Sequence, residues 1–227
     1  MDEVDASNLV SKHEEIYINK QEVDSKVVYH FIKRVIDILG SFFGLLIFSP
    51  LFLVVGYKIK REDNAGPIFF SQDRVGKNGK LFKMYKFRSM CVDAEDKLAL
   101  LLDKNEVDGA MFKIKDDPRV TRIGKFIRKT SIDELPQLWN VFKGEMSLVG
   151  PRPPLVREVH EYTEYDKQRL YVKPGCTGLW QVSGRNNVGF DKMVELDLKY
   201  IESQSMLFDL KVIFKTILVI LRPNGAY

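Results

Sequence analysis

Two acids stand side by side at Asp133 and Glu134, within Thr130-Ser-Ile-Asp-Glu-Leu-Pro-Gln-Leu-Trp-Asn140. A basic run precedes them, and the rigid turn Gly150-Pro-Arg-Pro153 follows. Acids crowded among cations suit a divalent metal, a phosphate, or both. One carboxylate can attack while its neighbour helps hold a cation. Magnesium needs only one or two carboxylates when substrate phosphate oxygens complete its shell. A glycosidase pair fits poorly, because those acids face each other across a sugar from separate elements. The competing reading is structural: Ser131 as N-cap and Glu134 three residues later form a capping box. That helix would carry Pro136 in its second turn and lose a backbone hydrogen bond. A start nearer Pro136 leaves both acids at the helix N-terminus, where free N–H groups and the dipole favour carboxylates. Spacing alone leaves both readings open.

The cations extend the pattern. Pro151 and Pro153 clamp Arg152, pre-ordering a guanidinium suited to bidentate phosphate contact. Lys86 and Arg88 alternate onto one face of a strand, with Tyr85 and Phe87 on the other. Arg119, Arg122, Lys125, Arg128 and Lys129 make a basic segment that taken alone reads as a solvated face. No P-loop, GxGxxG, HExxH, GxSxG or zinc spacing is present, so phosphate is not handled by those devices. The three histidines are isolated.

Composition bounds the rest. The chain has 227 residues, 45% of them hydrophobic, enough for one domain with a core. Net charge is +4. Residues 1–30 hold seven acids against three lysines, so they carry −4 and leave +8 on the remainder. A basic body attracts phosphorylated substrates, lipid headgroups or nucleic acid. No nucleic-acid recognition motif accompanies the charge. Cys91 and Cys176 lack metal or redox spacing and fit a reducing compartment. The first thirty residues lack the basic-then-apolar order of a signal peptide and are expected to form a loose tail.

Residues 38–57 are twenty consecutive uncharged residues, about 30 Å as a straight helix and enough for a bilayer core. Ser49-Pro50 lies mid-run, where proline bends or breaks a helix and the serine hydroxyl can satisfy an exposed carbonyl. Lys33 and Arg34 precede the run; Lys58, Lys60 and Arg61 follow it. Positive charge at both ends favours both ends being cytoplasmic, so a re-entrant hairpin is preferred to a spanning helix. Residues 206–221 are a second apolar helix, with Lys211 and Lys215 on one face. That pattern suits a membrane-interface helix, and a core helix nearly as well. Between them lies an α+β body. Strands are expected at 67–71 and 80–90 around a Gly76–Gly79 turn, and helices at 94–103, 136–142 and 191–203. The glycine-punctuated stretch 173–185 is expected to be irregular.

Several segments in consistent order resemble one family, the bacterial sugar transferases, or monotopic phosphoglycosyl transferases. They are Lys33-Arg34-x-x-Asp37 leading into the apolar run, Ser49-Pro50, Lys86-Phe-Arg-Ser-Met90, Asp117-Pro-Arg119, the stretch from Thr130 to Asn140, Ser147-Leu-Val-Gly-Pro-Arg-Pro153 and Lys173-Pro-Gly-x-Thr-Gly-Leu-Trp-Gln-Val-Ser-Gly-Arg185. The chain resembles a catalytic-core form without the multi-helix membrane region of longer relatives. The resemblance implies transfer of a sugar-1-phosphate from a UDP-sugar to polyprenyl phosphate, releasing UMP, at the cytoplasmic face of the bacterial inner membrane. Asp133 would be the nucleophile, and Glu134 its partner supporting Mg2+. Pro151, Arg152 and Pro153 match the segment for the nucleotide end, and Lys86, Arg88 and Arg119 match positions near the phosphates. Ser49 and Pro50 match the break of a re-entrant helix. The implied division is a tail at 1–30, a re-entrant helix at 31–61 and a cytoplasmic catalytic domain at 62–227 with an interfacial C-terminal helix. The expected partners are a UDP-sugar, polyprenyl phosphate and membrane lipids, with no nucleic acid; a homo-oligomer stays open. The Trp180 segment resembles members that use plain hexoses more than those that use acetamido sugars.

Overall fold

The computed structural model describes residues 16–97, 100–101, 114, 116–183 and 189–221. Residues 1–15 of the expected tail, Leu98, Ala99, Leu102 and Asp103 of the expected helix 94–103, and Arg185 lie outside the described residues. A short helix α1 (Lys20–Ser25) leads into α2 (Val27–Glu62), and a hairpin follows from β1 (Phe69–Val75) and β2 (Leu81–Phe87). Then come α3 (Arg122–Lys129), a 3-10 turn (Ile132–Glu134), α4 (Gln137–Lys143) and β3 (Ser147–Val149). The order continues with α5 (Val156–His160), α6 (Glu164–Lys167), β4 (Gly175–Thr177), α7 (Leu179–Val182), α8 (Phe190–Glu202) and α9 (Met206–Leu221). The fold is α+β as expected.

The long apolar run becomes part of α2, 36 residues with Pro50 inside. Ser49 Oγ donates to the Leu46 carbonyl at 2.7 Å, one of those that the proline leaves short of donors. Only 11% of the most apolar stretch of α2 is buried, so by length and composition this helix could cross a membrane. Two spaced glycines let it lie close against the body. A Cβ on Gly40 would press on Leu148, and one on Gly44 on Leu138. Polar bonds fix the helix along its length. Arg34 donates to the Val141 and Phe142 carbonyls at 2.6 and 2.8 Å. Buried Asp37 accepts from Ser147 Oγ and Leu148 N. Glu62 caps α3, accepting from Arg122 N and Ile123 N at 2.6 and 2.8 Å.

Residues 16–30 depart from the expected loose tail. Val23 is buried in a core cluster with Val149, Leu198 and Val212, and Ile16 and Ile18 pack against it. Ile18 N donates to Gln168 Oε1 at 2.6 Å. An acidic segment can order when a few apolar residues reach a core, and here they do. The hairpin is tighter than the sequence suggested: β1 starts at Phe69 and runs on to Val75, and Asn78 and Gly79 at positive φ make the turn. Residues 92–97 are turns rather than the start of a helix. The stretch 173–185, expected to be irregular, contains β4, parallel to β3, and the single-turn helix α7. Its glycines serve close backbone crossing: a Cβ on Gly175 would collide with the Gly150 backbone.

The helix α9 spans the expected residues. Val212 and Asp209 are buried, while Leu207, Leu210, Phe214, Leu218 and both lysines face outward. Asp209 is the surprise in an apolar helix. It accepts from Tyr29 and Tyr200 hydroxyls and pairs with Lys33 at 2.7 Å, joining α2, α8 and α9.

Candidate active site

The acids stand where α3 hands over to α4. Ser131, at φ 56°, turns the chain in the left-handed region, and Ile132–Glu134 follow as a 3-10 turn. Ser131 does not cap this turn through its side chain, so the capping-box reading fails; α4 begins at Gln137 with Pro136 as its N-cap. A left-handed non-glycine residue costs roughly 1 kcal/mol or more, and such strain is tolerated where it aims a functional group. Here it brings Asp133 inward to 8% exposure. Glu134 remains more open and accepts from Lys86 Nζ at 2.7 Å.

Both acids open into a cleft of about 670 Å³. Lys86, Arg88, Arg128, Arg152 and Pro153 line it with them, as do Arg74, Gln137 and Trp180. Residues from four separate stretches thus converge on one carboxylate pair. Burial pushes the Asp133 carboxyl up to about 6, against the pull of Lys86 and with the help of Glu134's like charge. It therefore still carries a negative charge at neutral pH and can attack an electrophile. Cys91 and Cys176 also line the cleft, but burial raises both thiols, so neither is an activated nucleophile.

The expected site residues divide. Lys86, Arg88, Asp133, Glu134, Arg152 and Pro153 come together in the cleft. Arg88, just past the end of β2, is anchored at 2.6 Å to Asp63 at the end of α2. Arg152 pairs with Glu158 at 2.9 Å, which orients the guanidinium beside the cleft. Arg119 is not brought there. It is buried, gripped by Asp117 through Nε and Nη2, and its Nη1 donates to the Ala94 carbonyl. Pro151 contributes a carbonyl that Gly175 N meets at 2.9 Å, bracing the turn. Ser49 and Pro50 lie midway along α2.

Sequence reasoning missed three contributors. Arg74 on β1 is 8% exposed; its Nη1 donates to the Pro153 carbonyl and its Nη2 to Gln72 Oε1. Burial and the nearby Arg152 cation hold it down to about 9, so it is a cation at neutral pH. Ending the first strand at Ser71 hid it; a longer strand would have placed Arg74 opposite Phe82. Among the described residues, Trp180 Nε1 and Gln181 Oε1 are buried in the cleft wall with no hydrogen-bond partner. The third contributor is α9, whose Ile213, Thr216, Ile217 and Ile220 make the apolar side. Thr216 is hydrogen-bonded to Thr177 of β4 at 2.8 Å, which fixes that side in place.

A family model for the bacterial sugar transferases matches residues 28–223. The galactosyl transferase CpsE of Streptococcus agalactiae serotype III is 54% identical over 195 residues, 86% of this chain and 43% of that protein. The undecaprenyl-phosphate galactose phosphotransferase of Salmonella typhimurium is 45% identical over 224 residues, 97% of this chain and 47% of that protein. The exopolysaccharide production protein ExoY of Rhizobium meliloti is 42% identical over 199 residues, 86% of this chain and 88% of that protein. The chain thus spans less than half the length of the first two relatives and most of the third.

Proposed function

Because this chain belongs to the bacterial sugar transferase family, we propose that it moves a sugar-1-phosphate from a UDP-sugar to polyprenyl phosphate, releasing UMP and starting a surface glycan. The observation that carries this reading is the buried, ionisable Asp133 in one cleft with Lys86, Arg128 and Arg152. Phosphoryl transfer is catalysed mainly by positioning and charge neutralisation, and the cleft supplies both.

In the first step an Asp133 carboxylate oxygen forms a bond to the sugar-bearing phosphorus. The bond from that phosphorus to the bridging oxygen breaks, and the electron pair leaves with UMP. Lys86 and Arg152 offset the charge on the phosphates, and the half-buried site limits attack by water. In the second step an oxygen of the lipid phosphate attacks the same phosphorus. Asp133 leaves as a free carboxylate, and the product is a lipid diphosphosugar. Two steps on one nucleophile give ping-pong kinetics.

The donor set fits Mg2+. Among the described residues no cluster of three or more His, Cys, Asp or Glu could hold a metal, whereas Asp133 and Glu134 share the cleft. Two carboxylates suffice for magnesium when phosphates and waters supply the remaining ligands. When bound, the ion would neutralise phosphate charge; Glu134 would exchange its Lys86 contact for it.

The membrane arrangement follows from α2. Straight, 36 residues would extend about 54 Å. Yet Arg34 near one end and Glu62 at the other both bond the same polar body, which cannot stand on both sides of a bilayer. Basic residues flank both ends. These features support a re-entrant helix turning at Ser49-Pro50, with the body on the cytoplasmic face of the inner membrane. The donor sugar is a plain hexose on this reading, in keeping with the galactose named for two of the relatives.

The test is a mass measurement on the full chain with Mg2+ and UDP-sugars but no lipid. A phosphosugar adduct on Asp133 is expected, and chelation with EDTA should prevent it. Turnover with lipid but no adduct would sink the nucleophile role. The apolar side of the cleft gives a second expectation. Ile217→Asn should leave adduct formation unchanged while raising the KM for the lipid acceptor about tenfold, because an exposed apolar contact for the lipid is lost. Separate assays of the two half-reactions check it.

A further inference from the structure

Arg74 is a cation in a place that makes it costly. Its side chain is over nine-tenths buried, yet among the described residues it has no ion-pair partner within salt-bridge distance. The carboxylates whose charge acts on it hold other cations: Glu158 bonds Arg152 through Oε2 at 2.9 Å, its Oε1 unbonded among the described residues, and Glu134 bonds Lys86 at 2.7 Å. Its Nη1 and Nη2 each meet one neutral oxygen, and its Nε is buried without any acceptor. A buried charge normally brings a partner with it, because leaving water is expensive for an ion. A hydrophobic or amide side chain would fill this position at less cost. The charge faces a cleft that Arg152, Lys86 and Asp133 also line.

We infer that Arg74 is a phosphate-binding residue whose missing counter-charge is the diphosphate of the donor nucleotide. The guanidinium is held by the Pro153 carbonyl and Gln72, so it cannot turn away to solvent. The second N–H of each terminal nitrogen is then left for a phosphate oxygen at no further cost in orientation. With Arg152 on the adjoining turn, Arg74 forms a two-guanidinium cradle for one anion. The two cations repel each other when the cleft is empty, and the diphosphate relieves that repulsion. This inference rests on the sugar-phosphate transfer reading, but it is tested by binding alone.

The probes are UDP and inorganic pyrophosphate, titrated against the full chain in detergent micelles with Mg2+ present. For wild type, Arg74→Gln and Arg74→Lys, both the affinity and the thermal midpoint of the ligand-free protein are measured. Arg74→Gln should weaken UDP and pyrophosphate at least about tenfold, the loss expected for a charge-assisted hydrogen bond. Its ligand-free midpoint should equal or exceed that of wild type, since an unpaired buried charge has gone. Arg74→Lys should keep part of the affinity. UDP binding within about twofold of wild type in Arg74→Gln would overturn the inference. So would a lower ligand-free midpoint in both variants with affinity lost in proportion, which would make Arg74 a strut for the Pro153 turn. Loss of UDP binding in Arg74→Gln beside a wild type that forms no adduct would sink the nucleophile role and leave the phosphate cradle standing.

Discussion

Asp133→Asn should reduce sugar-phosphate transfer by at least about 10⁴-fold and abolish the adduct, because the attacking carboxylate oxygen is gone. The same variant should be more stable than wild type at pH 7. Burial raises the Asp133 carboxyl in the folded state, to about 6, so the native protein binds its proton more tightly than the unfolded chain does. That contribution to stability is complete below about pH 4 and is lost as pH rises through 6. The asparagine, which stays neutral, avoids the loss, and its advantage should vanish toward about pH 4. The kinetic counterpart is a limb in the pH profile. Attack needs the ionised carboxylate, so donor kcat/KM should rise about tenfold per unit below pH 6 and level off above it. Mg2+ bound beside the carboxylate would move the corresponding limb in kcat to lower pH. Stability scans and initial rates across roughly pH 4–8 check both sides. A variant that loses activity and stability together at neutral pH would mean that Asp133 only supports the fold.

Asp197→Ala carries the largest expected effect on stability. Arg169 and Asp197 are fully buried and joined at 2.6 Å, and Arg169 reaches the Arg152 turn. Arg169 also donates to the Tyr162 hydroxyl and, at 3.3 Å, to the Arg152 carbonyl. Removing Asp197 strands a guanidinium in the core, at a cost of about 3–5 kcal/mol. For a chain of this size that lowers the thermal midpoint by on the order of 10 °C. Replacing both partners, Arg169→Met with Asp197→Leu, should restore much of the stability, because the stranded charge is then absent. The double variant should nonetheless have a raised KM for the UDP-sugar, since the Arg152 turn has lost a hold. Calorimetry on the single and double variants separates the two effects.

Much of this architecture is legible in the amino-acid sequence. The two apolar helices announce themselves by length, whereas α3 and its N-cap Thr121, whose Oγ1 accepts from Gly124 N, are concealed in a basic run. Gly144 at φ 87° ends α4 where its position suggests. These are local signals, set by capping and side-chain volume. The acids, Lys86 and Arg152 stand out because they lie in dense motifs. What stays hidden depends on contacts between distant segments or on how a side chain is engaged. Arg119 matches a family position near the phosphates, but the sequence does not show that Asp117, two residues away, grips its guanidinium. Arg74 escapes notice because burial of a lone cation depends on the Pro153 turn packing over β1, 79 residues further on. The order of residues 16–30 likewise rests on partners such as Gln168, 150 residues away.

The junction of Tyr29, Lys33, Tyr200 and Asp209 has a bearing on how the protein is made. Tyr29 meets an acid 180 residues later in the chain, so α2 leaves the ribosome long before its partner helix exists. At about 5–20 residues per second the delay is roughly 10–40 s. Throughout it α2 lacks its α9 partner, and only earlier segments such as Leu138 and Leu148, which lie against Gly44 and Gly40, can begin to cover it. The wall of the cleft contributed by Ile213, Ile217 and Ile220 comes last of all. On the proposed membrane arrangement, biosynthesis sets an order of events: insertion of α2 first, then completion of the polar body against it. The cleft is complete only when the final turns of α9 pack beside β4.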